Sequence, residues 1–133
     1  MEPTLTTSPA NRTSSVLDYL LGLVSGRPAD GRLAAKIDAV HALGLVRDGA
    51  TLLDVRERNE WKSGHAPQAV HIPLGEVAQA GRRLPQDRRV VVVCASGARS
   101  NVAARQLRVL GYDATSLSGG LSAWQRAGGE VTR

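Results

Sequence analysis

The sequence predicts an α/β fold, a small parallel sheet with helices on both faces. Two short apolar runs have the length and composition of buried strands, TLLDV at 51–55 and VVVV at 90–93, and ATSL at 114–117 is a third, weaker strand. Segments with helical spacing alternate with these runs, and parallel strands need such long crossover connections. Val-rich strands between helices are typical of a sheet that is covered on both faces.

Two further segments with helical spacing lie before the first strand and after the last one. Residues 33–47, LAAKIDAVHALGLVR, predict a helix before the first strand, and DGA at 48–50 turns the chain into that strand. Residues 121–129, LSAWQRAGG, predict a short helix after the last strand. Together with the strands, these segments predict one domain over residues 34–133.

The segment RSNVAARQLRVLGY follows the second strand and predicts the crossover helix. We expect this helix to begin at about Arg99 or Ser100 and to end at Gly111, because glycine is favoured just after a helix. The residues expected to face the sheet are apolar: Val102, Leu107 and Leu110.

Residues 1–33 are predicted to be an extension of this domain. Within them, SSVLDYLLGLVS at 14–25 predicts a short helix whose apolar stripe packs on the domain or on a second copy of the chain. A helix on a membrane surface is the alternative, but no basic flank accompanies the stripe. Neither a secretory signal nor a stretch long enough to span a bilayer is found, so a cytoplasmic protein is expected.

Composition narrows the classes of partner. Hydrophobic residues make up 42% and charged residues 22% of the 133, which is an ordinary globular balance. The net charge is +5, but the arginines are scattered and the aromatic residues do not interleave with basic clusters. A nucleic-acid partner is therefore not predicted. Cys94 is the only cysteine, so no intramolecular disulfide can form.

The stretch CASGARS directly after the Val-rich strand carries the clearest chemical signal. In open α/β sheets, ligands bind beyond the carboxyl ends of the strands, where Cys94 is expected. The residues that follow are small or polar and are predicted to bind substrate: Ala95, Ser96, Gly97, Ala98, Arg99 and Ser100. Small side chains let backbone N–H groups converge on an anion, and the start of a helix adds further unpaired N–H groups.

Such a loop favours a reactive thiolate at Cys94. Helix N-termini and nearby cations lower the pKa of a thiol, and Arg99 supplies a cation that can also bind an oxyanion. Ser100 adds a hydroxyl donor to the same cradle. The alternative is an inert, buried cysteine that ends a core strand.

Four segments resemble motifs of the rhodanese family and lie in the family's order: LLDVRERNEW at 52–61, GHAPQAVHIPL at 64–74, CASGARS at 94–100 and LGYDATSLSGGLSAWQRAGGEV at 110–131. The resemblance covers roughly residues 34–131. Gln68 departs from the family pattern, which usually has glycine there, but this change lies outside the cysteine loop.

The resemblance implies a single-domain thiosulfate sulfurtransferase. In that activity the Cys94 thiolate takes the outer sulfur of a donor such as thiosulfate and forms a persulfide. It then passes the sulfur to a thiol or to cyanide. A protein is a further candidate for the acceptor. No metal and no organic cofactor are expected, since His65 and His71 lack partners at metal-ligand spacing.

Asp54 and Arg56 end the first strand at the same edge of the predicted sheet. The favoured interpretation is structural: a buried Asp54 bonded to loop amides, with Arg56 paired to a carboxylate such as Glu60. The functional alternative places Arg56 at the rim of the site, where it binds anionic donors. Trp61 and Trp124 are predicted to be packing residues.

Two other functions compete with a thiosulfate enzyme. A cysteine phosphatase or arsenate reductase shares the thiolate loop but needs five residues between cysteine and arginine, whereas four separate Cys94 from Arg99. A persulfide relay, which moves sulfur from one protein to another, would use the same loop. The sequence does not distinguish a relay from a thiosulfate enzyme.

Overall fold

A five-stranded parallel sheet forms the centre of the computed structural model, which describes residues 31–133. The strands are β1 (Lys36–Ile37), β2 (Thr51–Asp54), β3 (Val70–His71), β4 (Val90–Val93) and β5 (Ala114–Leu117). Their order across the sheet is β1-β5-β4-β2-β3, so β4 lies in the middle. The predicted α/β class is confirmed, and residues 35–133 form one unit.

Within residues 31–133, five helices connect or follow the strands. They are α1 (Ala39–Arg47), α2 (Arg58–Ser63), α3 (Val77–Ala80), α4 (Ala98–Val109) and α5 (Gly120–Arg126), and short 3-10 turns at Leu74–Glu76 and Gly81–Arg83 flank α3. Helix α4 packs on β4 and β5, and α1 packs on α5 and β4. The sheet is therefore covered on both faces, as the Val-rich strands predict.

Alternation along β4 divides the core between these two layers. Val90 and Val92 belong to the cluster beneath α4, together with Ala103 and Leu107 of that helix. Val91 and Val93 are equally buried and point to the opposite face, because successive strand residues alternate.

The predicted helix at 33–47 is only partly correct. Residues 36–37 form β1 instead, where the Ser118 N–H donates to the Ile37 carbonyl at 2.8 Å. The helix begins after Asp38, whose side chain accepts a hydrogen bond from the His41 N–H at 2.8 Å. This N-cap ends the strand and starts α1, so the apolar spacing before it does not continue the helix.

The crossover helix begins at Ala98, slightly earlier than expected, and its buried face differs from the predicted one. Its buried residues follow helical spacing: Ser100, Ala103, Ala104 and Leu107. Leu107 faces the core as predicted, but Val102 is 37% exposed and the prediction that it faces inward is wrong. The last helix, predicted at 121–129, spans Gly120–Arg126.

The predicted helix at 14–25 and almost all of the 1–33 extension lie outside the described residues, so both remain predictions. Among the helices of residues 31–133, none is long and apolar enough to cross a bilayer.

Candidate active site

Cys94 lies at the carboxyl end of the central strand. Strand β4 ends at Val93, a short loop follows, and α4 begins at Ala98. The neighbouring strand β2 ends at Asp54, in register with Val93. The sequence therefore places the thiol at the edge of the sheet where ligands of open α/β folds bind.

Two glycines give the loop its shape. Gly97 has φ of 116°, a left-handed conformation that glycine adopts readily, and it precedes the first residue of α4. Gly120, with φ of 65°, begins α5, and a Cβ atom there would collide with the carbonyl oxygen of Ala95. The Leu121 N–H also donates to the Cys94 carbonyl at 2.9 Å. The start of α5 thus supports the loop from outside.

The thiol of Cys94 lies inside a cradle of hydrogen-bond donors. Its Sγ atom accepts from the Gly97 N–H at 3.0 Å and from the Ser100 N–H at 3.3 Å, and it lies 3.5 Å from Ser100 Oγ. Only 1% of Cys94 is exposed. These donors converge on the sulfur because the loop turns its backbone amides inward.

The cradle favours the thiolate over the thiol. Burial raises the pKa of Cys94, but hydrogen bonds from the Ser100 hydroxyl and from the N–H groups of Ser100, Gly97 and Ser96 outweigh this effect. The pKa of the thiol is therefore lowered from its ordinary value. Hydrogen bonds that form mainly with the charged state have this effect, and a lowered pKa raises the fraction of nucleophilic thiolate.

A second hydroxyl, that of Ser116 on β5, extends the cradle. Ser116 Oγ lies 2.7 Å from Ser100 Oγ, which also donates to the Gly97 carbonyl at 3.0 Å. Ser116 is buried and was not among the predicted site residues. One feature of the sequence indicates it. Ser116 lies two positions after Ala114 and therefore on the same face of β5, the face that α4 covers.

Arg99 forms a two-pronged ion pair with Glu60 of α2. Its Nη1 lies 2.6 Å from Glu60 Oε1 and its Nη2 lies 3.0 Å from Oε2. The hydrogen bond from Arg99 is the main cause that lowers the pKa of Glu60 to about 2. The same pairing raises the pKa of Arg99, to which the nearby Cys94 charge also contributes. Arg99 is therefore a fixed cation near the thiol.

Arg56 lies inside the protein rather than at the rim. It is 6% exposed, its Nη2 lies 2.7 Å from Asp54 Oδ2, and it also donates to the carbonyls of Glu60 and Gly64. Asp54 accepts the Arg56 N–H as well, at 3.0 Å. The expected pairing of Arg56 with the Glu60 carboxylate is wrong, because that carboxylate binds Arg99. These contacts favour the structural interpretation of Arg56.

The other predicted residues lie around the same loop. Ala95, Ser96 and Ala98 are exposed, whereas Ser100 is buried beside the sulfur. The predicted substrate-binding set is thus brought together, with the exception of Arg56, and the exposed loop residues form its outer surface.

Both motif histidines contact backbone and aromatic groups. Trp61 stacks on His65 at a centroid distance of 3.5 Å and on His71 at 4.7 Å. His65 Nδ1 lies 2.7 Å from the Trp61 carbonyl, and His71 Nε2 lies 2.7 Å from the Arg56 carbonyl. No cluster of metal-binding side chains occurs between residues 31 and 133.

Comparisons with known proteins agree on the kind of domain. Two Bacillus subtilis proteins are similar to the chain: "Putative sulfur carrier protein YrkF", at 40% identity over 65 residues, and "Putative sulfurtransferase YtwF", at 38% over 74 residues. These matches cover 49% and 56% of the chain. The chain spans 35% of the length of the first relative and 72% of the second.

The fold has a similar relative among solved structures. The crystal structure of a rhodanese-related protein from Thermoplasma volcanium matches with a TM-score of 0.67 at 31% identity, over 73% of this chain and 96% of that one. The model of the rhodanese-like domain family matches residues 38–127. This match takes in the cysteine loop, Glu60 and Ser116, and the chain therefore belongs to the rhodanese-like domain family.

Proposed function

We propose that the protein is a sulfurtransferase that carries sulfur on Cys94 as a persulfide, with thiosulfate as a small-molecule donor. The observation that carries this proposal is the cradle itself: a buried sulfur that accepts two backbone N–H groups, with a pKa below its ordinary value. The two relatives named for sulfur transfer or sulfur carriage support the same chemistry.

In the first half-reaction, the Cys94 thiolate attacks the outer sulfur of thiosulfate. A new S–S bond forms at Cys94, the S–S bond of thiosulfate breaks, and sulfite leaves with the bonding electron pair. The outer sulfur keeps its negative charge and becomes the terminal sulfur of the persulfide. The loop amides of Ser96, Gly97 and Ser100 then stabilise that charge, because fixed dipoles need no reorganisation.

In the second half-reaction, an acceptor nucleophile attacks the terminal sulfur. A thiolate acceptor becomes a persulfide and cyanide becomes thiocyanate, and the electron pair of the broken S–S bond returns to Cys94 as thiolate. Each half-reaction is a displacement at sulfur, so no external oxidant or reductant is required.

Arg99 is proposed to hold the anionic donor near the thiol. Two of its nitrogens contact Glu60, but a guanidinium carries five N–H groups, and this leaves donors for an oxyanion. Ala95, Ser96 and Ala98 would line the entrance with small side chains. Arg56 is assigned no contact with the donor, because Asp54 and two carbonyls use its donors.

The intact mass of the purified protein tests this proposal. After incubation with thiosulfate, we expect a gain of one sulfur, which cyanide removes. A Cys94→Ser variant should show no gain, since a hydroxyl is too weak a nucleophile to accept the sulfur. Persistence of the adduct in that variant would overturn the assignment of Cys94.

A persulfide relay between proteins is the second candidate, and the similarity to a protein named as a sulfur carrier favours it. In this function the donor and the acceptor are proteins. A chain that gains no sulfur from thiosulfate, but gains one from a persulfidated cysteine desulfurase, would support the relay. If the chain gains sulfur faster from thiosulfate than from the protein donor, the result would support the small-molecule enzyme.

A further inference from the structure

A small pocket, open to solvent and called the cavity below, lies beside the cysteine loop, where β1 and β5 reach the edge of the sheet. Its volume is about 250 Å³, several times the roughly 30 Å³ of one water molecule. The backbone of the loop forms one wall, and the side chains that line the cavity are polar: Lys36, Ser96, Asn101, Ser116 and Ser118. None of the lining residues within the described part of the chain is acidic.

Most of these polar groups have no hydrogen-bond partner among the described residues. Between residues 31 and 133, the side chains of Lys36, Ser96, Asn101 and Ser118 form no hydrogen bond and no ion pair. Each can donate a hydrogen bond, and Lys36 adds a positive charge that forms no ion pair with a carboxylate of residues 31–133. The described lining thus offers several donors and one cation, which is the chemistry of a site for a small anion.

The cavity is connected to the thiol through two hydroxyls. Ser116 lines the cavity, and its Oγ lies 2.7 Å from Ser100 Oγ, which lies 3.5 Å from Cys94 Sγ. Each hydroxyl has one hydrogen to donate. The Ser100 hydrogen has three acceptors within reach: the Cys94 sulfur, the Gly97 carbonyl and Ser116 Oγ. An anion that takes the Ser116 hydrogen leaves Ser116 Oγ as an acceptor for Ser100, and this competes with donation from Ser100 to the sulfur.

We propose that this cavity is a second anion site, which binds a small oxyanion or carboxylate through Lys36, Asn101 and the lining hydroxyls and weakens the support of the Cys94 thiolate. The site differs from the amide cradle, which contacts the sulfur directly. The inference goes beyond the proposed function, because neither binding nor its effect on the thiolate requires sulfur transfer.

Binding can be tested with the full chain, because Lys36 and Lys62 are its only two lysines. Lys62 lies on α2, outside the cavity, and serves as the internal control. Both are labelled with an acylating reagent in sodium sulfate or sodium acetate, with sodium chloride of equal ionic strength as reference. Peptide mass spectrometry then gives the rate at each lysine.

We expect the labelling of Lys36 to slow about tenfold when the anion exceeds its Kd tenfold, with Lys62 unchanged. Protection by sulfate alone identifies an oxyanion site, and protection by acetate alone a carboxylate site. Equal rates at Lys36 in all salts up to about 0.1 M, where surface charges are largely screened, would overturn the proposal.

Variants test which groups bind the anion and sense it. In the wild type, the protecting anion should slow iodoacetamide alkylation of Cys94 at neutral pH, and Lys36→Gln should remove this effect while Lys36→Arg retains it. Ser116→Ala removes one of several donors, so a saturating anion should still protect Lys36 but should no longer slow alkylation of Cys94. If the anion slows alkylation of Cys94 in Lys36→Gln as much as in the wild type, the anion acts in the cradle, and the proposal of a second site is overturned.

Discussion

Two arginine–carboxylate pairs lie near the carboxyl edge of the sheet, and they differ mainly in burial. The Asp54–Arg56 pair is buried, with side-chain exposures of 1% and 7%, whereas the Glu60–Arg99 pair is about one-third exposed on each side. Their shortest N–O distances are almost equal, 2.7 and 2.6 Å. Burial therefore separates a pair that organises the fold from a pair whose cation remains available to a ligand.

The largest effect is expected when the buried pair is broken. Asp54→Ala leaves the Arg56 charge without its carboxylate, and such a change costs about 3–5 kcal/mol of the free energy of unfolding. Urea denaturation of both proteins measures this loss. Glu60→Gln, which breaks the exposed pair, is the matched control, with an expected loss of at most about 1 kcal/mol. Similar losses in the two variants would contradict the comparison.

Removal of the exposed cation should affect activity more than stability. Arg99→Ala is expected to slow sulfur loading from thiosulfate about 10- to 150-fold, which corresponds to a charged hydrogen bond of about 1.5–3 kcal/mol. The rate of mass gain gives this value. Arg105→Ala, an exposed arginine on the same helix, should load at the wild-type rate. An unchanged rate in Arg99→Ala would mean that the Glu60 pair is purely structural.

The Ser100 hydroxyl should set the pH range in which Cys94 reacts. Because it is the largest of the contributions that lower the pKa of Cys94, Ser100→Ala should move the midpoint of the alkylation–pH profile upward. Alkylation then slows at neutral pH but reaches the same plateau at high pH. A midpoint that does not move would show that the backbone amides alone stabilise the thiolate.

The smallest effect concerns the pH dependence of the exposed pair. The pKa of Glu60 falls from 4.5 to about 2 on folding, so its contribution to stability is complete above pH 4.5 and is lost as the pH falls toward 2. The stability difference between the wild type and Glu60→Gln, about 1 kcal/mol or less, should shrink over that range. A difference that stays constant down to pH 3 would contradict this assignment.

Burial made the central strands predictable. The runs at 51–54 and 90–93 are apolar at nearly every position because both faces of the sheet are covered, and such runs stand out in a sequence. Strands β1 and β3 have two residues each, too few to show any period, and the apolar spacing over 33–47 predicts a helix where Lys36–Ile37 form β1. Only the cap at Asp38 marks the true boundary.

In the site, the residues that are adjacent in sequence were predictable, whereas those distant in sequence were not. The cradle from Cys94 to Ser100 is continuous in sequence, so its small side chains and its arginine could be interpreted together. Glu60 is 39 residues from Arg99, and Ser116 is 16 residues from Ser100. Which carboxylate Arg99 binds, and which hydroxyl reaches Ser100, depends on how α2 and β5 pack, and local patterns do not determine that.

The contact between Gly120 and Ala95 makes the C-terminal helix a component of the sulfur site. Any side chain at position 120 would push against the carbonyl of Ala95, the residue next to the thiol. Substitutions that impair the chemistry are thus expected in a segment that touches no reacting atom. A mutational scan for loss of activity would mark the Gly119–Gly120 pair as sharply as the cysteine loop. The shape of the cradle therefore depends on two separate segments of the chain, the cysteine loop and the start of α5.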